Sequence, residues 1–285
     1  MIEFKNVSFF YPPPEASIAP NAGIGDGENA AVERPDAVRA VFGELSMKLP
    51  GGVVSVVGEN GIGKSTLLLL AGARLFPAEG TITIDGVDTM RFVDAAADPE
   101  VEEERNRLVS FVYQNLEFET EEPVGALMDQ IVENGNLNFD TGTLAADLRR
   151  ELELDGFLDR KTQELSKGQL QRTIIAFSLL YGSKIVMMDE PVFALEEPQK
   201  DRALGFLHEY SSGNGIDLYY SVHNLELSRK YADHSVLIGK DRTILIGPVD
   251  EVLTREKVEA AYQVPYDTLY RRDSLYREML NRKLT

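Results

Sequence analysis

Nine consecutive residues, Gly58-Glu59-Asn60-Gly61-Ile62-Gly63-Lys64-Ser65-Thr66, carry the spacing G-x-x-x-x-G-K-[ST] directly after the apolar run Val53-Val54-Ser55-Val56-Val57. Each fixed position in that spacing has a mechanical role. Without a Cβ, Gly58, Gly61 and Gly63 let the backbone turn tightly and aim successive N–H groups at phosphate oxygens. Lys64 would place its ammonium on the β- and γ-phosphates, and Ser65 would offer its hydroxyl to Mg²⁺. The run Leu67-Leu68-Leu69-Leu70-Ala71 begins a helix whose N-terminal dipole faces the same anion. A Gly-rich turn without function would account for the glycines but not for the Lys-Ser pair. The residues therefore predict a nucleoside-triphosphate site, spanning Gly58 to Thr66.

Such a loop serves kinases, GTPases, helicases and transport ATPases alike, so other residues must choose among them. Ile185-Val186-Met187-Met188-Asp189-Glu190 is an apolar strand ending in two adjacent carboxylates. Asp189 could reach a metal, directly or through water, while Glu190 points where an attacking water would sit. Phosphoryl transfer needs both a metal holder and a group that orients or deprotonates the nucleophile. Leu165-Ser166-Lys167-Gly168-Gln169 then precedes the apolar helical run 173–181. A Ser and a Gly at a helix N-terminus form an anion site from hydroxyl and backbone N–H groups. A second phosphate site is surplus to a chain with one phosphate loop.

On these motifs, in this order, the chain resembles the ATP-binding-cassette (ABC) ATPases, whose signature reads Leu-Ser-Gly-Gly-Gln. The resemblance implies an α/β fold, a P-loop NTPase with a mainly parallel sheet core, an N-terminal antiparallel β part and a helical signature subdomain. It implies that Gln114, after Phe111-Val112-Tyr113, reaches Mg²⁺ and the attacking water, and that His223 contacts the γ-phosphate. Taken alone, a Gln after a strand is uninformative and a His at a strand end reads as structural. Tyr11 matches the aromatic that stacks on adenine, a core or turn tyrosine being the alternative. His208 and His234 have no counterpart. In the family two cassettes face each other head to tail, so Ser166, Gly168 and Gln169 of one chain would clamp the γ-phosphate held by Lys64 of the other. ATP and Mg²⁺ are the implied cofactors, and a second cassette is the implied partner, an identical copy being the first expectation and a different cassette the alternative. Three departures stand out: Lys167 in place of the first signature glycine, Glu196 where the family has Asp, and a longer insertion after Tyr11.

The elements that must position these residues are legible as alternating patterns. Residues 2–11 read as a first strand, stopped by Pro12-Pro13-Pro14. Residues 12–39, rich in Pro, Gly, Ala and acid, read as an irregular loop. Strand-like runs recur at 81–84, 108–113, 184–189, 218–222, 235–238 and 243–246, with a turn at Lys240-Asp241-Arg242. Helical segments separate the runs at 184–189, 218–222 and 235–238, as in a mainly parallel sheet covered by helices. Residues 94–104 form an acidic stretch read as an exposed loop or helix start. Residues 116–170 carry helical patterns, at 124–132 and 144–152, and read as a helical subdomain. Residues 248–285 read as a helical tail, with a basic amphipathic terminal helix at 270–283 that could touch lipid or a partner. One cassette over 1–285 is the expected domain organisation.

The bulk numbers narrow the function. Net charge is −18, from 29 basic and 47 acidic residues, which argues against a surface that tracks nucleic acid or adheres to anionic lipid. There is no cysteine, hence no disulfide or thiolate metal site. No apolar run approaches the ~18 residues of a membrane span. The first residues lack the basic region and apolar core of a signal peptide, which predicts a cytoplasmic protein. The expected function is the ATP-hydrolysing subunit of a membrane transporter, docked on separate permease subunits at the inner face of the membrane. Residues 246–254 look like the corresponding stretch of ATPases serving metal, siderophore or cobalamin importers. The alternatives are a soluble ABC ATPase acting on ribosomes or DNA and a non-hydrolysing regulator. The long coiled coil and the tandem cassettes of the first are missing from this sequence, and intact Glu190 and His223 oppose the second.

Overall fold

The structure is a computed structural model and describes residues 1–11, 40–136 and 141–269. The segment 12–39 and the basic stretch 270–283 lie outside the described residues. Two sheets organise the chain. The first is antiparallel, in the order β2-β1-β4-β5, from β1 (Ile2–Phe9), β2 (Phe42–Leu49), β4 (Glu79–Ile84) and β5 (Val87–Asp88). Alternation in β1 turns Ile2, Phe4, Val7 and Phe9 to the core. The two residues of β5 and the extension of β4 back to Glu79 carry too little apolar pattern to be read from sequence. At Gly80, φ is +83°, and a Cβ there would lie 2.3 Å from the Asn6 carbonyl oxygen, so only glycine lets β4 cross β1 this closely.

The second sheet has the order β10-β9-β3-β8-β7-β6. Its strands are β3 (Val53–Gly58), β6 (Val109–Val112), β7 (Ile185–Met188), β8 (Asp217–Ser221), β9 (His234–Ile238) and β10 (Ile244–Pro248). Pairing is parallel from β6 through β9, and β10 returns antiparallel on β9. β10 sits one residue later than the pattern 243–246 predicts, because its register with β9 runs on to Pro248 opposite His234. Both faces of this sheet are covered. Val53, Val57, Met188 and Tyr220 point into one core, and Val54, Val56, Met187 and Tyr219 into the other. Double burial explains why these strands read as continuous apolar runs rather than as alternation.

Helices fill the two faces. α1 (Lys64–Ala71) packs beneath the antiparallel sheet, with Leu67, Leu68 and Leu70 buried, while α2 (Pro99–Leu108) is capped by Asp98 and leads into β6. On the opposite face lie α3 (Val124–Asn134), α4 (Thr141–Glu151) and α5 (Lys167–Tyr181). Leu144 and Leu148 on one side of α4, and Leu152 just past its end, recur every four residues and reach the same core as Ile175 and Leu179 of α5. α6 (Glu197–Asn214) and α7 (Leu225–Tyr231) follow β7 and β8, and α8 (Val249–Val252) and α9 (Arg255–Tyr262) follow β10. Among the described residues no helix is long and apolar enough to cross a membrane.

Leu67 is fully buried on the first turn after the phosphate loop. We expect Leu67→Ala to lower stability by about 2–5 kcal/mol, through lost apolar transfer and the cavity left behind. A thermal melt should fall by roughly 5–10 °C; an unchanged midpoint would show that α1 is not anchored by this core.

Candidate nucleotide-binding site

The phosphate loop leaves the end of β3 and enters α1, and its conformation is written by glycine. Gly58 has φ +153°, and a Cβ on it would lie 2.7 Å from the Ile238 carbonyl oxygen. Gly63 caps α1 in a left-handed conformation, φ +115°. Lys64 is buried, and its ammonium donates to the loop's own Gly58 and Glu59 carbonyl oxygens at 3.0 and 3.1 Å. Burial pushes its pKa down, while the fields of Glu190, Asp189 and Glu59 act the other way. Fixed N–H groups and a partly desolvated ammonium suit an anion that can be gripped by both.

The remaining residues arrive from the carboxyl ends of neighbouring parallel strands, where open α/β sheets bind ligands. Gln114 follows β6, Asp189 and Glu190 follow β7, and His223 follows β8. Glu190 is the meeting point. Gln114 Nε2 donates to its Oε2 at 2.8 Å, and His223 Nε2 contacts its Oε1. Its backbone sits at φ +49°, a conformation that an L-residue seldom adopts, and Ser221 Oγ accepts its N–H at 2.8 Å. The same Ser221 hydroxyl donates to Asp189 Oδ1 at 2.5 Å. One buried serine thus fixes the Asp189 carboxylate and the Glu190 backbone.

A cavity of about 1030 Å³ opens over the loop, lined by Tyr11, Gly58, Glu59, Asn60, Gly61, Gly63, Lys64, Ser65, Thr66, Gln114, Glu190 and His223. Ile62 turns away into the core, and Asp189 lies behind Glu190, buried. Tyr11 is half exposed at the rim. Its hydroxyl lies 3.1 Å from Thr66 Oγ1, and its ring meets Phe9 edge-on at 5.1 Å. The hydroxyl of Ser65, the amide oxygen of Gln114 and the carboxylate of Asp189 are oxygen donors of the kind a hard divalent cation takes. His208 pairs with Asp233 and His234 belongs to β9, both away from the cavity.

Ser166, Gly168 and Gln169 are not brought to this cavity. They cap α5 instead. Ser166 Oγ accepts the Gln169 N–H at 3.3 Å, and Gln169 Oε1 accepts the Ser166 N–H at 2.9 Å. Lys167 is exposed and pairs with Glu117 at 3.6 Å, and Glu196 stands at the N-cap of α6. The sequence reading missed Ser221, Phe193, Leu225, Tyr262, Val264 and Leu269, the last five of which line the cavity. Ser221 had a signal in the strand period, two residues before His223 on the same face. The apolar four do not resemble anything chemical in sequence, and Phe193 is equally plain.

The sequence pattern of the ABC transporter family matches residues 42–193, more than half of the chain. The molybdenum import ATP-binding protein ModC of Aromatoleum aromaticum is 29% identical over 82% of this chain and 63% of its own length. The phosphonates import ATP-binding protein PhnC of Maricaulis maris is 28% identical over 82% of this chain and 94% of its own. The chain therefore spans less than two thirds of the first relative and nearly all of the second. Among solved structures, the dimeric ATP-binding cassette MJ0796 bound to ADP and Pi overlays with a TM-score of 0.64 at 21% identity, over 83% of this chain and 93% of that one. Phosphate loop, paired carboxylates and strand-end histidine stand on a fold of that kind, and the chain belongs to the ABC transporter family.

Proposed function

We propose that this chain is the ATP-hydrolysing subunit of an ABC transporter, a single cassette that works as a homodimer on separate permease subunits at the inner face of the cell membrane. The observation that carries the reading is Glu190, held by Gln114 on one oxygen and His223 on the other at the edge of the phosphate cavity. ATP would lie with its adenine on Tyr11 and its phosphates along the N–H groups of the loop. The Lys64 ammonium then exchanges its two carbonyl partners for phosphate oxygens. The Glu190 carboxylate orients a water and accepts its proton as the water oxygen attacks the γ-phosphorus. The bond from that phosphorus to the bridging oxygen breaks, and ADP leaves. His223 supports the γ-phosphate. Mg²⁺ suits the oxygens of Ser65, Gln114 and Asp189, and when bound it neutralises charge on the phosphates.

Two observations support a pair of chains. Ser166, Gly168 and Gln169 lie outside their own chain's cavity, and the MJ0796 cassette with ADP and Pi is dimeric. The signature of each copy would close over the other's γ-phosphate. The exposed Tyr113 and Leu116 flank Gln114, and give a permease an apolar contact beside the catalytic residues. Import is the direction that the relatives' names support. Molybdenum and phosphonates are chemically unlike, at nearly equal identity, and so give no single cargo.

Three outcomes are expected. Glu190→Gln should retain ATP binding, lose about 10²–10⁴-fold in phosphate release, and run as an ATP-stabilised dimer in size exclusion; wild-type turnover would remove Glu190 as the base. Ser166→Arg should abolish hydrolysis while each chain still binds a fluorescent ATP analogue, and persisting activity would exclude the shared site. Solubilised membranes should yield the chain together with an integral membrane protein; recovery on ribosomes or DNA would reverse the assignment.

A further inference from the structure

The C-terminal end of the described chain folds back onto the nucleotide cavity, and its contacts reach both sides of the site. α7 starts immediately after His223, capped by Asn224, whose side-chain oxygen accepts the Glu226 N–H at 2.8 Å. At the other end of this short helix, Arg229 donates to the Leu253 carbonyl oxygen and to the Tyr266 hydroxyl. The Tyr266 ring has two cations beside it, with the guanidinium carbons of Arg229 and Arg255 at 5.5 and 5.6 Å from its centroid. Its backbone N–H donates to Glu259 Oε1 at 2.8 Å, and Arg255 also binds Asp267 at 3.0 Å. Tyr266 is therefore gripped at ring, hydroxyl and backbone, all by α7 and α9.

The same arm is tied to the phosphate loop. Lys240, in the turn between β9 and β10, pairs through its ammonium with Glu59 at 3.1 Å. Its backbone N–H donates to the carbonyl oxygen of Ala261 in α9 at 2.9 Å. Tyr262, Val264 and Leu269 line the cavity together with His223 and Leu225. A helix of seven residues has little stability of its own, so its orientation must come from what grips it. An error of about 1 Å in a catalytic group can cost on the order of 10²-fold in rate.

We propose that residues 255–269 form a brace that keeps the His223 loop in register with the phosphate loop, with Arg229 and Tyr266 as positioning residues for His223. The inference rests on the ATPase reading above. The brace acts through the orientation of α7, and neither Arg229 nor Tyr266 lines the cavity. Its loss should therefore change turnover more than nucleotide affinity.

The test is steady-state phosphate release against ATP concentration, with the full chain and MgATP, for wild type, Tyr266→Ala and Tyr266→Phe. Y266A should lose about tenfold or more in kcat with KM for ATP within about threefold. Y266F keeps the ring beside both guanidinium groups and should recover most of the rate. Binding of a fluorescent ATP analogue and a thermal melt are run on each protein. If Y266A does not fold, Arg229→Lys, which keeps the charge but loses the two-armed donation, carries the test with the same expected split. A wild-type chain that turns over ATP with Y266A equally fast overturns the brace, as does a Y266F chain as slow as Y266A. A wild-type chain that binds ATP without hydrolysing it overturns the ATPase reading and this inference with it.

Discussion

The second sheet is buried on both faces, and that constraint decides where the chemistry can be. Apart from Asp217 at the start of β8, every side chain on β3, β7 and β8 is buried, which leaves little room along the strands for an ionised group open to water. Polar function is displaced to the strand ends. Because β3, β8, β7 and β6 are consecutive neighbours, the residues that follow them are gathered along one edge. The phosphate loop, His223, Glu190 and Gln114 are neighbours for that reason, although they are far apart in the chain.

The electrostatics are local and run against the average. The chain is strongly acidic, yet under the function proposed above its loop would accept a polyanion. It would do so with N–H dipoles and one buried ammonium, sources of positive potential that do not alter the net charge much. Asp189 and Glu190 share that small volume with Lys64, and the Ser221 hydroxyl and backbone geometry hold the two carboxylates apart in role. The left-handed backbone at Glu190 is the conformational cost of aiming adjacent residues differently.

Legibility in the sequence followed the range of the interactions. The phosphate loop is local, because its glycines, lysine and helix start lie within one turn of chain, and it could be read directly. So could the buried strands and the cap at Ser166. Gln114 and His223 were interpretable only through a family likeness, since neither residue has a partner nearby in sequence. The fold supplies the partner, one carboxylate for both. The bonds of Ser221, the ion pair of Lys240 with Glu59 and the turn around Tyr266 were not legible. Their contacts cross strand pairings and the packing of α7 on the C-terminal arm, and no short-range pattern announces such a contact.

The capping of α5 bears on affinity as well as on helix stability. Ser166 Oγ uses a lone pair to accept the Gln169 N–H, which leaves the hydroxyl hydrogen uncommitted by the cap. Its oxygen is thus immobilised before any phosphate arrives, and Gln169 is locked by the reciprocal bond. A phosphate meeting this surface would find a donor whose rotamer entropy had already been lost when the chain folded. The helix holds this cap without any phosphate, so under the dimer proposed above docking and release would draw on the same preformed geometry.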